Sequence, residues 1–433
     1  METLLSLAIA LVAGLLMTRL LKLLHLNLPD VTSYLIAGLL IGPYCLGALK
    51  IPGLGFTSME AVEGMNLISQ TALGFIAFAI GNEFRLSQLK KIGKQAVVIG
   101  IVQAAVATLC VDAALFGLCF LLGDKLPMPV VITLGAIAAA TAPAATLMVV
   151  RQYKAKGKVT DLLLPVVALD DAVGLVIFAI SFGIARAMNS GAVDLISILV
   201  NPLVEIVLSL VLGSVMGALL TLLEKAFHSN TNRLSLTIAF VVVTVAISLL
   251  DFHIGAIHIS FSPLLVCMML GTMFCNLCPL SADLMSASDK WTAPLFTLFF
   301  VLSGAELDLS VFMDVAVIII GVVYILSRCV GKYFGTYFST AATHCDTNVR
   351  KYLGITLFPQ AGVALGMSVT AQSLGTYEGS LIRNIVLFSV LVYELVGPLL
   401  TKMALTKSGD IQPKSLEVLN RREIKLQGIK NDK

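Results

Sequence analysis

Charge is what this sequence lacks. Asp, Glu, Lys and Arg make up only 13% of its 433 residues, against 58% hydrophobic residues and a mean hydropathy of +0.96. That balance excludes the soluble globular classes and fits a polytopic membrane protein. Tryptophan is almost missing, at a single residue, though the class does not depend on it. A zinc-site pattern is missing too. The 8 cysteines are scattered through apolar stretches, and Cys275 and Cys278 form a lone C-x-x-C with no second pair or histidine beside it. They read as packing residues. The opening "METLL" has no basic region and no A-x-A cleavage site follows, so residues 1–21 read as a first membrane helix and not as a signal peptide.

What is present is a series of apolar spans of roughly twenty residues, the length a bilayer requires. They fall at about 3–22, 30–46, 66–82, 95–122, 128–150, 162–187, 197–223, 234–250, 261–278, 292–305, 311–339, 351–373 and 380–404. The tenth is short unless "AELDL" is added to its end. Alternate loops and the tail carry 23 basic residues and the other loops only 4, namely Lys50, Lys125, Arg186 and Arg383. The positive-inside rule then puts the amino terminus outside and the carboxyl terminus in the cytoplasm, which needs an odd number of crossings. The two remaining basic residues, Arg328 and Lys332, lie inside the eleventh span.

Two spans contain a helix breaker near the middle: Pro143 in "AAATAPAATLMVV", and Pro359 with Gly362 in "GITLFPQAGVALGMSV". Proline removes a backbone donor and clashes with the preceding turn, so each span is expected to kink or unwind there. These are the fourth spans of two five-helix sets, two to six and nine to thirteen. Seven crossings separate the sets, so they run in opposite senses, as in an inverted repeat whose broken helices cross near the midplane. The third span of the first set holds Asp112, and the third of the second set holds Arg328 and Lys332. A negative charge suits exposed helix amino ends and a positive charge suits carboxyl ends, so Asp112 and one of the basic residues are expected to neutralise the crossing. Alternatively, Asp112 bonds a neighbouring helix. The expected fold is thus all-α, with about thirteen transmembrane helices and two inverted repeats.

The costliest feature is "VVALDDAVGLVIFAI", which places Asp170 and Asp171 side by side at membrane depth. Burial and mutual repulsion raise a carboxyl's proton affinity, so a proton and a cation are brought to compete for one group near the working pH. A hard monovalent cation wants oxygen ligands. The pair supplies them together with water, backbone carbonyls freed at the breaks, and Thr141.

"VTSYLIAGLLIGP", "ALGFIAFAIGNEF", "TAPAATLMV", "LDDAVG", "FFVLSGAELDL" and "FPQAGVALG" occur in the order found in the cation:proton antiporter-2 family. Over about residues 28–400 the chain resembles that family of sodium/proton exchangers. The resemblance implies a homodimer, an elevator-type mechanism, and cation or proton binding at Asp171, the Na+ ligand. It implies that Asp170 pairs with a basic residue on the eleventh span. Arg328 fits the family pattern best and Lys332, one turn on, is the second candidate. It further implies a transmembrane unit over 1–405, with core helices at roughly 66–187 and 292–373. Dimerisation or scaffold helices would lie at roughly 1–46, 197–278 and 380–404, and 406–433 would be a short basic tail. Where the family often has a charged residue this chain has Gln360, and the role of Glu306 is open. The tail is too short for a nucleotide-binding regulatory domain.

The expected activity is exchange of Na+ (or Li+ or K+) for H+ across the cell (inner) membrane of a bacterium, without enzymatic chemistry, cofactor or nucleic acid. A sodium-coupled symporter of an organic anion and a cation channel are the alternatives. The symporter needs a basic pocket for substrate, but the aspartates already claim the basic residues at membrane depth. Channels favour rings of weak ligands in symmetric pores. An intramembrane aspartyl protease needs carboxylates on two facing helices, whereas these are neighbours about 100° apart on one. His253 and His258 read as loop residues, Glu83 as a helix end within reach of Arg85 or Arg328. Gly213 and Gly217 form a G-x-x-x-G that permits close helix contact.

Overall fold

A computed structural model of the chain describes residues 2–24, 28–51, 55–82, 84–122, 125–190, 201–250, 252–254, 257–259, 261–307 and 314–412. At bilayer depth a span must satisfy its backbone polar groups within itself, and the apolar runs accordingly form helices. In chain order these are α1 (Glu2–Leu23), α2 (Asp30–Ile41), α3 (Met59–Glu63), α4 (Asn66–Asn82), α5 (Leu86–Leu122), α6 (Met128–Ile137), α7 (Pro143–Gln152), α8 (Lys158–Ser190), α9 (Asn201–Glu224) and α10 (Asn230–Ser248). They continue with α11 (Pro263–Leu277), α12 (Ser281–Ala305), α13 (Val315–Ala342), α14 (Thr347–Thr356), α15 (Gly362–Ala371) and α16 (Thr376–Lys407). Between α10 and α11, strands β1 (Phe252–Ile254) and β2 (Ile257–Ile259) pair antiparallel, Phe252 opposite Ile259.

Every expected span has its helix. The fifth and twelfth have two half-helices each, α6 with α7 and α14 with α15. Among the described residues, 8 helices are long and apolar enough to cross a bilayer unaided. The remaining crossings are halved at the breaks, short, or polar at one end. The tenth span gains its length at the other end from "AELDL". α12 begins at Ser281 and runs through Pro294, so Glu306 is only its C-cap.

The inverted repeat is visible in which helix packs on which. α2 packs on α12 and α4 on α11, an exchange of the first and second helices of the two sets, while the third helices, α5 and α13, pack on each other. The two exchange contacts are built alike. A Cβ at Gly38 would stand 1.9 Å from Val301 O, and one at Gly304 2.2 Å from Leu35 O. Across the other pair, a Cβ at Gly81 would stand 1.9 Å from Met268 O, and one at Gly271 2.2 Å from Phe78 O. Only residues without a side chain allow backbones so close.

One apolar cluster joins residues of α5, α6, α8, α13, α15 and α16, and another joins α2, α4, α7, α9 to α12 and Leu164 and Ala168 of α8. The spans at 66–82 and 292–305 contribute to the second cluster and the span at 380–404 to the first, while α8 contributes to both. The reason is the exchange pairing, which commits α4 and α12 to α11 and α2. The G-x-x-x-G is used within the chain: Cβ atoms at Gly213 and Gly217 would meet Val266 O at 2.4 Å and Met273 Cβ at 2.6 Å on α11. Glu83, the side chains of His253 and His258, and the tail beyond Gln412 lie outside the described residues. All 8 cysteines are free thiols.

α5 and α13 position the centre of the molecule. A Cβ at Gly331 of α13 would lie 2.6 Å from Ala107 Cα of α5. Gly331→Val is expected to force the helices apart and cost about 1–3 kcal/mol, as overpacking generally does. The thermal unfolding midpoint of the detergent-purified protein checks this, and an unchanged midpoint would count against a rigid contact. Where α8 starts, Asp410 Oδ2 accepts from Thr160 N at 2.7 Å and Thr160 Oγ1 at 2.8 Å. The segment after α16 thus caps the helix that carries the two aspartates.

Candidate functional site

The breaks follow from local sequence. Pro143 lacks an N–H and begins α7, the position proline favours, leaving Ala140–Ala142 without helical structure behind it, Ala142 extended. Pro359 turns Phe358 away from helical geometry and separates α14 from α15. The breaks meet back to back: Ala142 N donates to Pro359 O at 2.8 Å.

Each break leaves helix-end carbonyls without partners at a depth where water is scarce. Side chains supply the donors. Arg328, fully buried on α13, donates Nε to Ala138 O at 2.9 Å, Nη2 to Ala140 O at 2.6 Å and Nη1 to Phe358 O at 2.6 Å. One guanidinium fork therefore holds both breaks, and it rests on the Tyr393 ring, 4.6 Å from the centroid. Gln360 Nε2 donates to Ile137 O at 2.9 Å and to Tyr324 Oη at 3.0 Å. This accounts for the residue that departs from the family pattern, since a neutral amide is enough to cap the remaining carbonyl.

Lys332, one turn beyond Arg328, reaches the aspartate. Its Nζ lies 2.8 Å from Asp170 Oδ2, with both side chains 0% exposed, and it also donates to Thr141 Oγ1 at 2.9 Å and to Ala139 O. Thr141 Oγ1 donates in turn to Asp170 Oδ2, and Gln103 Nε2 donates to Asp170 Oδ1. The preference for Arg328 as partner of Asp170 is thus corrected: the carbonyls of both breaks occupy Arg328, and Lys332 is the residue level with α8. Of Asp171 only the place in α8 directly after Asp170 is described, and its side chain lies outside the described part.

Asp112 is not at the helix amino ends. A Cβ at Gly135 of α6 would stand 1.8 Å from Asp112 Oδ1, an oxygen that has no hydrogen-bond partner among the described residues. It therefore lies against α6 short of the break. Gly362 begins α15, and a Cβ there would meet nothing within 4 Å. Gln103 is the site residue that sequence reasoning missed. Its signal was present, as a lone long amide in the middle of an apolar span. No metal-holding cluster of His, Cys, Asp and Glu occurs among the described residues.

A cavity of about 1210 Å³ opens among α1, α2, α7, α8 and α12, on the side that carries Arg85, Lys154 and Lys156. Its wall includes Leu164 and Pro165, between one and two turns before Asp170 on α8. Two polar ties span its rim from α7: Arg151 Nη1 to Asp289 Oδ1 of α12 at 2.7 Å, and Gln152 Oε1 accepting from Asp30 N of α2 at 2.9 Å.

The family described as sodium/hydrogen exchanger, transmembrane, matches residues 7–407. The chain is a member of the sodium/hydrogen exchanger family. No curated protein matches this exchanger. Two solved structures similar to it are both of the sodium proton antiporter MjNhaP1 from Methanocaldococcus jannaschii. The one at pH 8 has a TM-score of 0.65 and 22% identity, covering 94% of this chain and 99% of that one. The electron-microscopy structure has a TM-score of 0.68 and 20% identity, covering 91% and 96%. At such identities the likeness speaks for the fold, and the exchanger shares it nearly end to end.

Proposed function

We propose that the exchanger moves Na+, or Li+ or K+, in exchange for protons, with cation and proton competing for Asp171 beside Asp170. The observation that carries this reading is the fully enclosed Asp170–Lys332 pair at the crossing of two broken helices. A buried ion pair is a poor stabiliser, because taking both charges out of water costs nearly what their attraction returns. Its retention at this place argues for a task. When a cation binds, Asp170 and Lys332 part; when protons bind, the pair re-forms. This second titrating unit makes two protons per cation the expected ratio, the electrogenic double-aspartate type of the cation:proton antiporter-2 group. Each net charge moved then draws about 2.3 kcal/mol per 100 mV from the membrane potential.

The group of α5, α6, α8 and α13 to α16 moves, in this reading, as an elevator against α2, α4 and α9 to α12. The cavity among α2, α7, α8 and α12 gives room for such a movement. A homodimer formed through the scaffold helices, in the inner membrane of a bacterium with the amino terminus outside, completes the proposal. The sodium proton antiporter description of the two similar structures agrees with it.

The test uses purified exchanger in liposomes with an internal pH dye and successive additions of Na+, Li+ and K+. Wild type is expected to collapse the pH gradient with at least one cation, and Asp171→Asn to lose that response. If no cation moves protons in wild type at any working pH, the exchange reading falls. The channel and symporter alternatives then stand.

A further inference from the structure

Gln103 is the polar group at the crossing for which exchange, as set out above, has no use. It is 0% exposed on α5, where a Cβ at Gly335 of α13 would lie 2.9 Å from its Cα. Its amide is fixed from one end. Nε2 donates to Asp170 Oδ1 and to Gly100 O, the latter at 3.1 Å. Both partners are acceptors, so the nitrogen faces them and the oxygen faces away. That oxygen, Oε1, is buried and meets no donor among the described residues. An enclosed amide oxygen without a partner is costly and calls for an explanation.

Several of the oxygens at the crossing are already engaged. Backbone carbonyls freed at the breaks were expected to serve the cation, but those of Ile137, Ala138, Ala139, Ala140 and Phe358 accept from Gln360, Arg328 and Lys332. Of the buried oxygens without partners among the described residues, Gln103 Oε1 is the one whose side chain also bonds Asp170. Resting on the exchange reading, we infer that Gln103 coordinates the transported monovalent cation through Oε1, beside Asp170. Hard cations accept neutral carbonyl oxygens alongside carboxylates. Oε1 and Nε2 share one carbon, so the oxygen stays close to the carboxylate the nitrogen holds. Lys332 approaches from the Oδ2 side, so a cation on the Oδ1 side meets the ammonium least.

The experiment reads apparent KM for Na+, Li+ and K+ separately from the maximal rate, in liposomes holding wild type, Gln103→Leu, Gln103→Met or Gln103→Glu. Leu and Met remove the oxygen and are expected to raise KM for the transported cation about tenfold or more, with a smaller change in rate. Glu keeps an oxygen and is expected to hold or lower KM while altering the order of the three ions. Wild-type KM in the Leu and Met variants overturns the assignment and leaves the oxygen served by water alone. If neither accumulates, Glu decides, and an unchanged KM and ion order overturn it. Asp170→Asn, measured alongside, separates the two ideas. If it exchanges with wild-type KM, the exchange reading at this site fails; if it is impaired while Leu and Met are not, only the role of Gln103 fails.

Discussion

Lys332→Met is expected to destabilise the exchanger by roughly 3–5 kcal/mol, the cost of stranding one member of a buried pair. Methionine fills the volume of the lysine stem but offers no donor. Asp170 would keep Thr141 and Gln103 and lose the positive charge, and Ala139 O would lose its capping group. Adding Asp170→Asn should return most of that stability. The amide oxygen still accepts from Gln103, its NH2 donates to Thr141 Oγ1, which the lysine no longer engages, and no isolated charge remains. The double variant should nevertheless fail to move net charge, because the second titrating unit has gone. Thermal midpoints in detergent, read beside transport currents on a supported membrane, check both halves. A single variant as stable as wild type would show that the pair contributes nothing to holding the crossing.

Arg328→Met is expected to do more damage. Three carbonyls, of Ala138, Ala140 and Phe358, would lose their donors in an enclosed site. At about 1–3 kcal/mol for each unsatisfied group, the loss is on the order of 3–9 kcal/mol, comparable to a protein's whole stability. The variant is expected not to accumulate in the membrane. Arg328→Lys keeps the charge, but its point-like head cannot span the breaks as the fork does, so it should restore only part of the yield. Membrane abundance and the monodispersity of the solubilised protein are the readouts. Wild-type abundance for Arg328→Met would mean that the breaks hold without their shared cap.

The same two residues show how far a sequence can be read. Pro143 and Pro359 announce the breaks, because a missing N–H has a local consequence that any chain must obey. The odd count of crossings followed from where the basic residues lie, and it led to the opposed sets. What stayed hidden depends on relative rotation and height, which no single helix contains. Arg328 and Lys332 lie one turn apart on one face of α13, and only the level of α8 beside them decides which meets Asp170. Arg328 looked the better partner by pattern and serves carbonyls 188 and 190 residues away in sequence. Which helices share an apolar cluster was hidden for a related reason. Order along the chain groups α4 with α5, whereas the exchange of first and second helices sends α4 to α11. Gln103 was passed over because a single neutral amide in an apolar run has no periodicity or charge to mark it.

The capping of one repeat by the other also sets a schedule for synthesis. Ala138 leaves the ribosome 190 residues before the arginine that will hold its carbonyl. At roughly 5–20 residues per second, the first break therefore waits about ten to forty seconds without its donors. During that interval the nascent chain carries bare backbone acceptors where lipid offers nothing in return. Biogenesis of the first half must keep those groups in contact with water, the translocation machinery or a temporary helper until α13 arrives. Loss of the Arg328 cap should then appear first as early degradation of the nascent chain, before any change in transport is read.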